Sequence, residues 1–400
     1  MNPKKQSKYS IIVLLSLLLI GCIGTITTTN IDQNSSFKQA QVGSLGASGF
    51  WTNFTYIHIT GSNWTVAKNY AWCRGDGTWN NPYIIENISI DAASSPTEAG
   101  IRISDSHNVY FIIRNCTILN EPSTSGGGIW LDSANNGTIF NNTLENNYRG
   151  ISLTASENNT IQKSIISDSY GAGIILAAGC TYNNITENSI TSGHYQGIYL
   201  QSSSDHNILQ SNTITDIKLS GYGIAIIIQA SDSNNLTDNH LTNNYNGIKL
   251  RSGSKDNNII GNTIEDNTIY GVVLENNTSY PSNNLFYYNH FNNPTALANA
   301  YDNGTNNHWN YTTTGNYWND YSGKDTDDDG RGDTPYLIAG LGGEMDYYPI
   351  YDDGPETSNN GGNENPPGGI DGFEISIILG LLSLGGFLFL ITQKKKFTKV

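Results

Sequence analysis

Apolar residues recur through the middle of the chain in short alternating runs, and a glycine introduces each run. The glycine–aliphatic pairs return at intervals of 22 to 28 residues. The series is Gly100-Ile101, Gly128-Ile129, Gly150-Ile151, Gly173-Ile174, Gly197-Ile198, Gly223-Ile224, Gly247-Ile248 and Gly271-Val272. Alternation of apolar and polar residues predicts short strands with one buried face. A repeat of this length predicts a solenoid, in which like residues stack above like.

A recurrent asparagine opens the last apolar segment of most repeats. It stands at Asn142, Asn188, Asn212, Asn239, Asn262 and Asn289. Asn115 comes one residue early, and Lys163 replaces the asparagine in one repeat. Asparagine amides at a bend can bond to the coils above and below, so we expect a ladder. The spacers are too short for crossover helices. The sequence therefore predicts an all-β, right-handed parallel β-helix of eight or nine coils.

The two ends of the chain differ from this repeat region. A basic start with Lys4, Lys5 and Lys8 precedes an apolar run over residues 11–20, which is typical of a secretion signal. Cys22 gives the signal the form of a lipoprotein box, although an ordinary signal is an open alternative. The uncharged apolar run over residues 375–392 is long enough for a membrane helix, and the lysines after it predict a cytoplasmic tail.

The expected organisation follows from these composition changes. A tryptophan-rich segment before the repeats suits a terminal cap, because a stacked core would otherwise expose its first coil. The predicted segments are a signal peptide at 1–24, a linker at 25–48, an N-terminal cap with a first coil at 49–99, the β-helix repeats at 100–300, a C-terminal cap at 301–351, a flexible linker at 352–371, a transmembrane helix at 372–393 and a basic tail at 394–400.

Charge narrows the choice of partner. The chain has 20 basic and 35 acidic residues, but seven of the basic ones lie at the extreme ends. Residues 9–393 carry 13 basic and 35 acidic side chains, a net charge of −22. Nucleic acid binding needs clustered Lys and Arg, so no nucleic acid partner is expected. The acidic surface suits a soluble, cation-attracting ectodomain.

Cysteines and glycosylation motifs add little to this picture. Cys73, Cys116 and Cys180 follow the signal, and their number and spacing predict neither a disulfide framework nor a zinc site. Asn-x-Ser/Thr motifs occur at Asn53, Asn63, Asn87, Asn184, Asn235, Asn303 and Asn310, among others. Some of these could carry glycans on an exported protein.

Aromatic and charged residues at variable repeat positions are the candidate ligand-binding residues. A tyrosine precedes the glycine of several coils, at Tyr148, Tyr170, Tyr195, Tyr222, Tyr245 and Tyr270. The outward residue of the following strand adds Arg102, Trp130, Tyr199 and Lys249. Sugar faces stack on aromatic rings, so a polysaccharide track is expected there, formed by Arg102, Trp130, Tyr199, Lys249, Tyr148, Tyr195 and Tyr245. Tyrosines that merely pack the corner of each coil are the alternative.

An aspartate-rich loop near the end of the repeats is the candidate metal site. Asp325, Asp327, Asp329 and Asp333 occupy positions 1, 3, 5 and 9 of a loop with Gly330 at position 6. Oxygen ligands in this pattern are those of an EF-hand-like loop, so Ca²⁺ is the expected ion. An acidic surface turn is the alternative reading.

Motifs at both ends resemble a known family. Residues 315–321 (GNYWNDY), the aspartate-rich loop, residues 332–336 (GDTPY) and residues 346–350 (DYYPI) resemble the C-terminal signature of NosD-like β-helix proteins. Residues 75–85 (GDGTWNNPYII) are similar to the N-terminal cap of archaeal surface proteins of this kind. The repeats resemble the wider class of carbohydrate-binding and sugar-hydrolase β-helix domains.

The resemblance implies periplasmic copper binding, but the chain offers few copper donors. Copper sites use clustered His, Met or Cys, whereas the seven histidines here are scattered. The Asp-Pro-His motif of mannuronan epimerases is also absent from the sequence. We therefore expect a non-catalytic, membrane-anchored surface protein that binds carbohydrate or matrix components. A polysaccharide lyase, epimerase or hydrolase is the first alternative, and a copper-binding protein is the second.

Overall fold

The computed structural model describes residues 44–45 and 50–351. Several predicted segments lie outside these residues: the signal peptide, most of the linker at 25–48, the flexible linker at 352–371, the transmembrane helix and the basic tail. Within the described residues, no helix is long and apolar enough to span a membrane.

Three long, mainly parallel sheets run side by side, and a typical coil contributes one strand to each sheet. The end strands Ser44–Leu45 and Cys73–Arg74 pair antiparallel with their neighbours. Sheet A contains β1 (Ser44–Leu45), β2 (Trp51–Phe54), β6 (Ile88–Asp91), β9 (Thr117–Leu119), β12 (Thr143–Glu145), β15 (Ile165–Ser167), β18 (Ser189–Thr191), β21 (Thr213–Thr215), β24 (His240–Thr242), β27 (Thr263–Glu265), β30 (His290–Asn292) and β32 (Tyr317–Trp318).

Sheets B and C have ten strands each. Sheet B contains β3 (Ile57–Thr60), β7 (Ala99–Ser106), β10 (Gly127–Ala134), β13 (Arg149–Thr154), β16 (Ala172–Ala177), β19 (Gln196–Gln201), β22 (Ile224–Gln229), β25 (Asn246–Arg251), β28 (Tyr270–Glu275) and β31 (Ala298–Asp302). Sheet C contains β4 (Cys73–Arg74), β5 (Tyr83–Glu86), β8 (Phe111–Arg114), β11 (Gly137–Phe140), β14 (Thr160–Gln162), β17 (Asn184–Thr186), β20 (Ile208–Gln210), β23 (Asn235–Thr237), β26 (Asn258–Ile260) and β29 (Leu285–Tyr287).

The described part of the chain is thus an all-β, right-handed parallel β-solenoid of about nine turns, as the repeat predicts. A short helix, Trp64–Ala67, lies in the N-terminal cap, and the hairpin of β33 (Tyr336–Leu337) and β34 (Met345–Asp346) lies in the C-terminal cap. Each coil directs one or two aliphatic residues per sheet inward. In one coil these are Ile129, Leu131, Ile139 and Leu144, all fully buried.

Stacked glycines bring successive coils together at the start of the sheet B strands. A Cβ atom at Gly150 would lie 2.6 Å from the carbonyl oxygen of Gly173, so a side chain does not fit there. One member of the predicted series is misassigned, because Ile198 pairs with Ile226 and not with Ile224. Ala225, which follows a longer loop, therefore takes the glycine position in that coil, and the Gly223-Ile224 pair does not.

Asparagine ladders line the corners of the solenoid. At the corner between sheets C and A, Asn188, Asn212, Asn239, Asn262, Asn289 and Asn316 bond amide to amide. Two of the predicted ladder positions shift by one residue. Ser164 takes the place assigned to Lys163, and Cys116 takes the place assigned to Asn115. Lys163 points outward and pairs with Glu187 at 3.3 Å, because a buried ammonium would have no partner at the corner.

A second ladder fills the corner between sheets B and C, where the sequence repeat did not predict one. Its members are Asn159, Asn183, Asn207, Asn234, Asn257, Asn284 and Asn307. A third ladder, between sheets A and B, is discontinuous. It runs through Asn244, Asn267 and Asn293, but Ser169, Gly193 and Ile217 stand at this corner in the preceding coils.

Candidate functional site: the outward face of sheet B and its tyrosine edge

The four outward residues predicted for the ligand track do lie in one column of sheet B. The column, one residue per coil, is His58, Arg102, Trp130, Ser152, Ile175, Tyr199, Ile227, Lys249, Val273 and Tyr301. We call this set the outward column. Its neighbours stand about 4.8 Å apart along the rod, the spacing of paired strands. Parallel register alone therefore brings residues from distant parts of the sequence onto one surface.

Large side chains of the outward column share one contact. Five of them, all with polar ends, reach diagonally to the next coil, to the residue two positions beyond the register partner. The diagonal pairs are His58–Ser104 at 3.0 Å, Arg102–Asp132 at 2.6 Å, Trp130–Thr154 at 3.1 Å, Tyr199–Gln229 at 2.7 Å and Lys249–Glu275 at 2.8 Å. These bonds use the polar ends of all four predicted binding residues. The column is therefore a closed, internally bonded surface.

Trp130 is not the open stacking surface expected from the sequence. Its side chain is only 8% exposed, and the Arg102 guanidinium carbon lies 3.9 Å from the centre of its ring. This cation–π contact covers the indole face that a sugar would use. Ile175 and Ile227 are buried in the same column. Lys249 is also largely covered, with 12% of its side chain exposed.

A continuous row of accessible aromatic rings lies instead along the edge of sheet B. The rings of Tyr148, Tyr170, Tyr195 and Tyr222 follow one another with centroid distances of 5.5, 5.5 and 5.9 Å. We call these four residues the tyrosine ladder. Tyr170 is 48% exposed and Tyr222 is 62% exposed, while the other two rings are half-buried. A side-chain hydrogen bond with Tyr170 raises the pKa of Tyr195.

Three of the four tyrosines of the ladder follow the corner positions where Ser169, Gly193 and Ile217 stand in place of asparagine, whereas Tyr148 follows Asn147. Tyr245 lies one coil beyond Tyr222, with its ring half-buried and its amide donating to the Ile217 carbonyl. Tyr270 packs against Tyr301 at 5.4 Å, so the predicted tyrosine set divides into two groups.

Titratable groups gather at the N-terminal end of the outward column. His58 stands beside Arg102 in register, and the pair of Arg102 with Asp132 lies next to it. Burial, and then the charge of Arg102, lower the pKa of His58. The Nε atom of Arg102 is buried with no hydrogen-bond partner. A base, a cation and a carboxylate are thus present within three neighbouring strands.

Glu121 is a buried acid that the sequence pattern did not reveal. It lies between sheet A and sheet B, before the long strand β10, and is 1% exposed. Its Oε1 atom accepts from the Ser123 amide, whereas its Oε2 atom has no partner. Burial raises the pKa of Glu121 to about 7. Burial also lowers the pKa of the neighbouring Arg149.

The aspartate-rich loop brings three of its four predicted ligands together. Candidate ligand atoms of Asp325, Asp327 and Asp329 lie within 4.8 Å of one another. Asp325 is fully buried and accepts from the Asp329 and Gly330 amides. The charge of Asp329 raises the pKa of Asp327, as expected for crowded carboxylates. Asp333 is outside this group and instead accepts from the Thr326 amide at 2.9 Å.

Copper donors are not gathered in the described part of the chain. The aspartate triad is the one group of three His, Cys, Asp or Glu found close together there. The three cysteines are buried singly, and burial raises their pKa values to between about 11 and about 12. His240 pairs with Glu265 at 3.2 Å, and His290 stacks on Tyr317. Copper prefers imidazole, thiolate and thioether ligands, so the described donor set does not fit it.

Coils, corner ladders and an outward aromatic edge place the chain in the class of parallel β-solenoid proteins. A profile of the NosD family, described as periplasmic copper-binding protein, matches residues 57–229 and 219–323. The chain belongs to the NosD family. The word periplasmic in that description agrees with the exported location that the N-terminal sequence predicts. No curated protein matches the sequence.

Solved structures with a similar coil include sugar-active proteins. The A-module of mannuronan C-5 epimerase AlgE6 from Azotobacter vinelandii is 14% identical, with a TM-score of 0.38 over 56% of this chain and 63% of that one. Pectate lyase Pel9A is 15% identical, with a TM-score of 0.42 over 63% and 67% of the two chains. The periplasmic alginate epimerase AlgG is 13% identical, with a TM-score of 0.37 over 67% and 73%. Similarity of this degree concerns the fold alone.

Proposed function

We propose that the protein is an exported β-solenoid that binds carbohydrate at the cell surface without modifying it. The observation that carries the proposal is the tyrosine ladder, a row of four touching rings that are half-buried or exposed. Sugar rings present apolar C–H faces that stack on aromatic rings, and tyrosine hydroxyls can bond to sugar hydroxyls. Single exposed tyrosines are common on protein surfaces, whereas a continuous row of rings offers a stacking surface along one direction of the solenoid.

In this proposal, the predicted binding residues have two roles. Tyr148 and Tyr195 contact the ligand as members of the tyrosine ladder. Arg102, Trp130, Tyr199 and Lys249 support the surface of sheet B, since their polar ends already bond to the next coil. Tyr199 shares a coil with Tyr195, and the other three lie in coils beyond the ends of the ladder. Tyr245 extends the edge by one coil beyond Tyr222.

Glycan-array binding to the full-length chain tests the proposal. We expect replacement of Tyr170 and Tyr222 by Ala to weaken binding by roughly tenfold for each ring that stacks on a sugar. Tyr288 is a matched control, because it is 61% exposed but lies outside the ladder. Binding that survives loss of both ladder rings, or that Tyr288→Ala reduces equally, would contradict the proposed location.

We also propose that the solenoid is held outside the cell by the apolar run at residues 375–392, after cleavage of the signal at 1–24. The three lysines that follow the run favour a cytoplasmic tail. Protease treatment of intact cells tests the arrangement. The solenoid is expected to be degraded from outside and to fractionate with membranes, and removal of residues 372–400 is expected to release it. A solenoid protected in intact cells would contradict the proposed orientation.

Polysaccharide modification is the second candidate function, and the group of His58, Arg102 and Asp132 favours it. A neutral imidazole beside a guanidinium could remove a proton next to a sugar carboxylate. Incubation with uronate and neutral polymers tests this reading by looking for unsaturated ends, epimerised residues or shorter chains. Unchanged polymers with the wild-type chain would exclude it for the substrates used.

Calcium binding by Asp325, Asp327 and Asp329 remains a separate proposal. Three carboxylates within 4.8 Å repel one another unless a cation lies between them. Such an ion would brace the C-terminal cap.

A further inference from the structure

The direction of the tyrosine ladder restricts the shape of its ligand. The four tyrosines come from successive coils, so the row runs parallel to the axis of the rod and spans three coil steps, roughly 14 Å. One monosaccharide cannot cover several rings of such a row. The ligand is therefore an extended chain that repeats its stacking face.

Charge around the ladder restricts the chemistry of that chain. Residues 50–351 contain 12 basic and 28 acidic side chains, a difference of −16. Two cations lie in the segments that carry the ladder, and both are engaged. Lys218 pairs with Asp216 at 2.9 Å, and Arg149 donates to the Ser125 carbonyl at 2.7 Å. A carboxylate on the ligand would meet a net negative surface, on which Lys218 is already ion-paired and Arg149 is already hydrogen-bonded.

The hydrogen-bonding groups at this corner are mostly uncharged. The four tyrosine hydroxyls are neutral, and the centroid of the His194 ring lies 4.9 Å from that of Tyr170. Neutral groups of this kind suit sugar hydroxyls, because no charge has to be desolvated on either side.

Resting on the proposed carbohydrate function, we propose that the tyrosine ladder binds an uncharged polysaccharide chain laid along the rod axis and discriminates against polyuronates. The stacking energy comes from the rings, and the discrimination comes from the acidic surface around them. Affinity then rises with oligosaccharide length until the chain spans the ladder, and it changes little with salt.

Titration of the immobilised full-length chain tests this selectivity. The probes are cellulose, mannan and xylan oligosaccharides of increasing length, compared with polygalacturonate and alginate, each at low and at physiological ionic strength. We expect at least one neutral series to bind with length-dependent, salt-insensitive affinity. The Tyr170→Ala/Tyr222→Ala double variant should lose tenfold or more of that affinity, given about tenfold for each stacked ring. Tyr288→Ala should leave it unchanged.

Three results would overturn the inference in different ways. Binding of polygalacturonate or alginate that the double variant abolishes would refute the neutral ligand class while supporting the carbohydrate function. Failure of every neutral and acidic polymer to bind would refute the proposed function and the inference with it. Neutral binding that is independent of chain length would refute the axial arrangement.

Discussion

Asn239 lies in the middle of the asparagine ladder between sheets C and A, and its replacement by alanine tests how the coils are joined. The side chain is fully buried. Its Oδ1 atom accepts from the amide and the side chain of Asn212, both at 3.0 Å. Its Nδ2 atom donates to the Leu209 carbonyl and to Asn262, both at 2.9 Å. Four hydrogen bonds across three coils therefore depend on one amide.

Alanine at this position leaves buried partners without a bond. The Asn212 amide and the Leu209 carbonyl lose contacts that water cannot replace inside the solenoid. An unsatisfied buried polar group costs roughly 1–3 kcal/mol, and the effects within one network are not additive. We expect Asn239→Ala to lower the free energy of unfolding by about 3–5 kcal/mol, a large part of the stability of an ordinary domain.

The measurement is equilibrium unfolding in urea, with Asn258→Ala as the control. Asn258 is half-buried and donates one side-chain bond, to Asn235 at 2.8 Å. Its loss is expected to cost less than about 1 kcal/mol. A loss below about 1 kcal/mol for Asn239→Ala, or equal losses for the two variants, would show that the ladder contributes little to stability.

Three further predictions concern the metal readings and the buried acid. Calcium is expected to raise the melting temperature of the wild-type chain and of Asp328→Asn but not of Asp327→Asn, and an equal shift in all three would exclude the triad. Copper titration followed by EPR is expected to show no tight stoichiometric site, and one tightly bound ion per chain would contradict this. Between pH 4.5 and about 7, folded Glu121 holds a proton that the unfolded chain has released, so stability falls as pH rises through that window. Urea unfolding at pH 5 and at pH 8 measures the stability that is lost between these two pH values. We expect this loss to be smaller in Glu121→Gln than in the wild-type chain, by at most about 3 kcal/mol. Equal losses in the two proteins would refute the raised pKa of Glu121.

The repeat was enough to predict the solenoid because its strongest signals are steric. Glycine is required where coils approach closely, as at Gly150, and aliphatic residues are required inside. The errors arose where a corner changed length by a residue or more. Gly223 resembles the other repeat glycines locally, but the longer loop before it moves Ala225 into the stacking position. Spacing along the chain cannot distinguish these two registers.

Side-chain exposure was less predictable than strand position. The alternation correctly placed Trp130 on the outward side of its strand, but it could not show that Arg102 covers the ring. That contact joins residues 28 positions apart and depends on the diagonal reach of each side chain. The polar residue two positions further along the next strand, such as Asp132 or Gln229, was the available signal. Glu121 gave no periodic signal, since it lies in an irregular segment.

The most direct test of the central claim is a crystal structure of the chain with a neutral oligosaccharide long enough to span the tyrosine ladder. The expected result is an extended ligand parallel to the rod axis, with successive sugar faces against Tyr170, Tyr195 and Tyr222. A ligand bound elsewhere on the solenoid, or one lying across the axis, would contradict it.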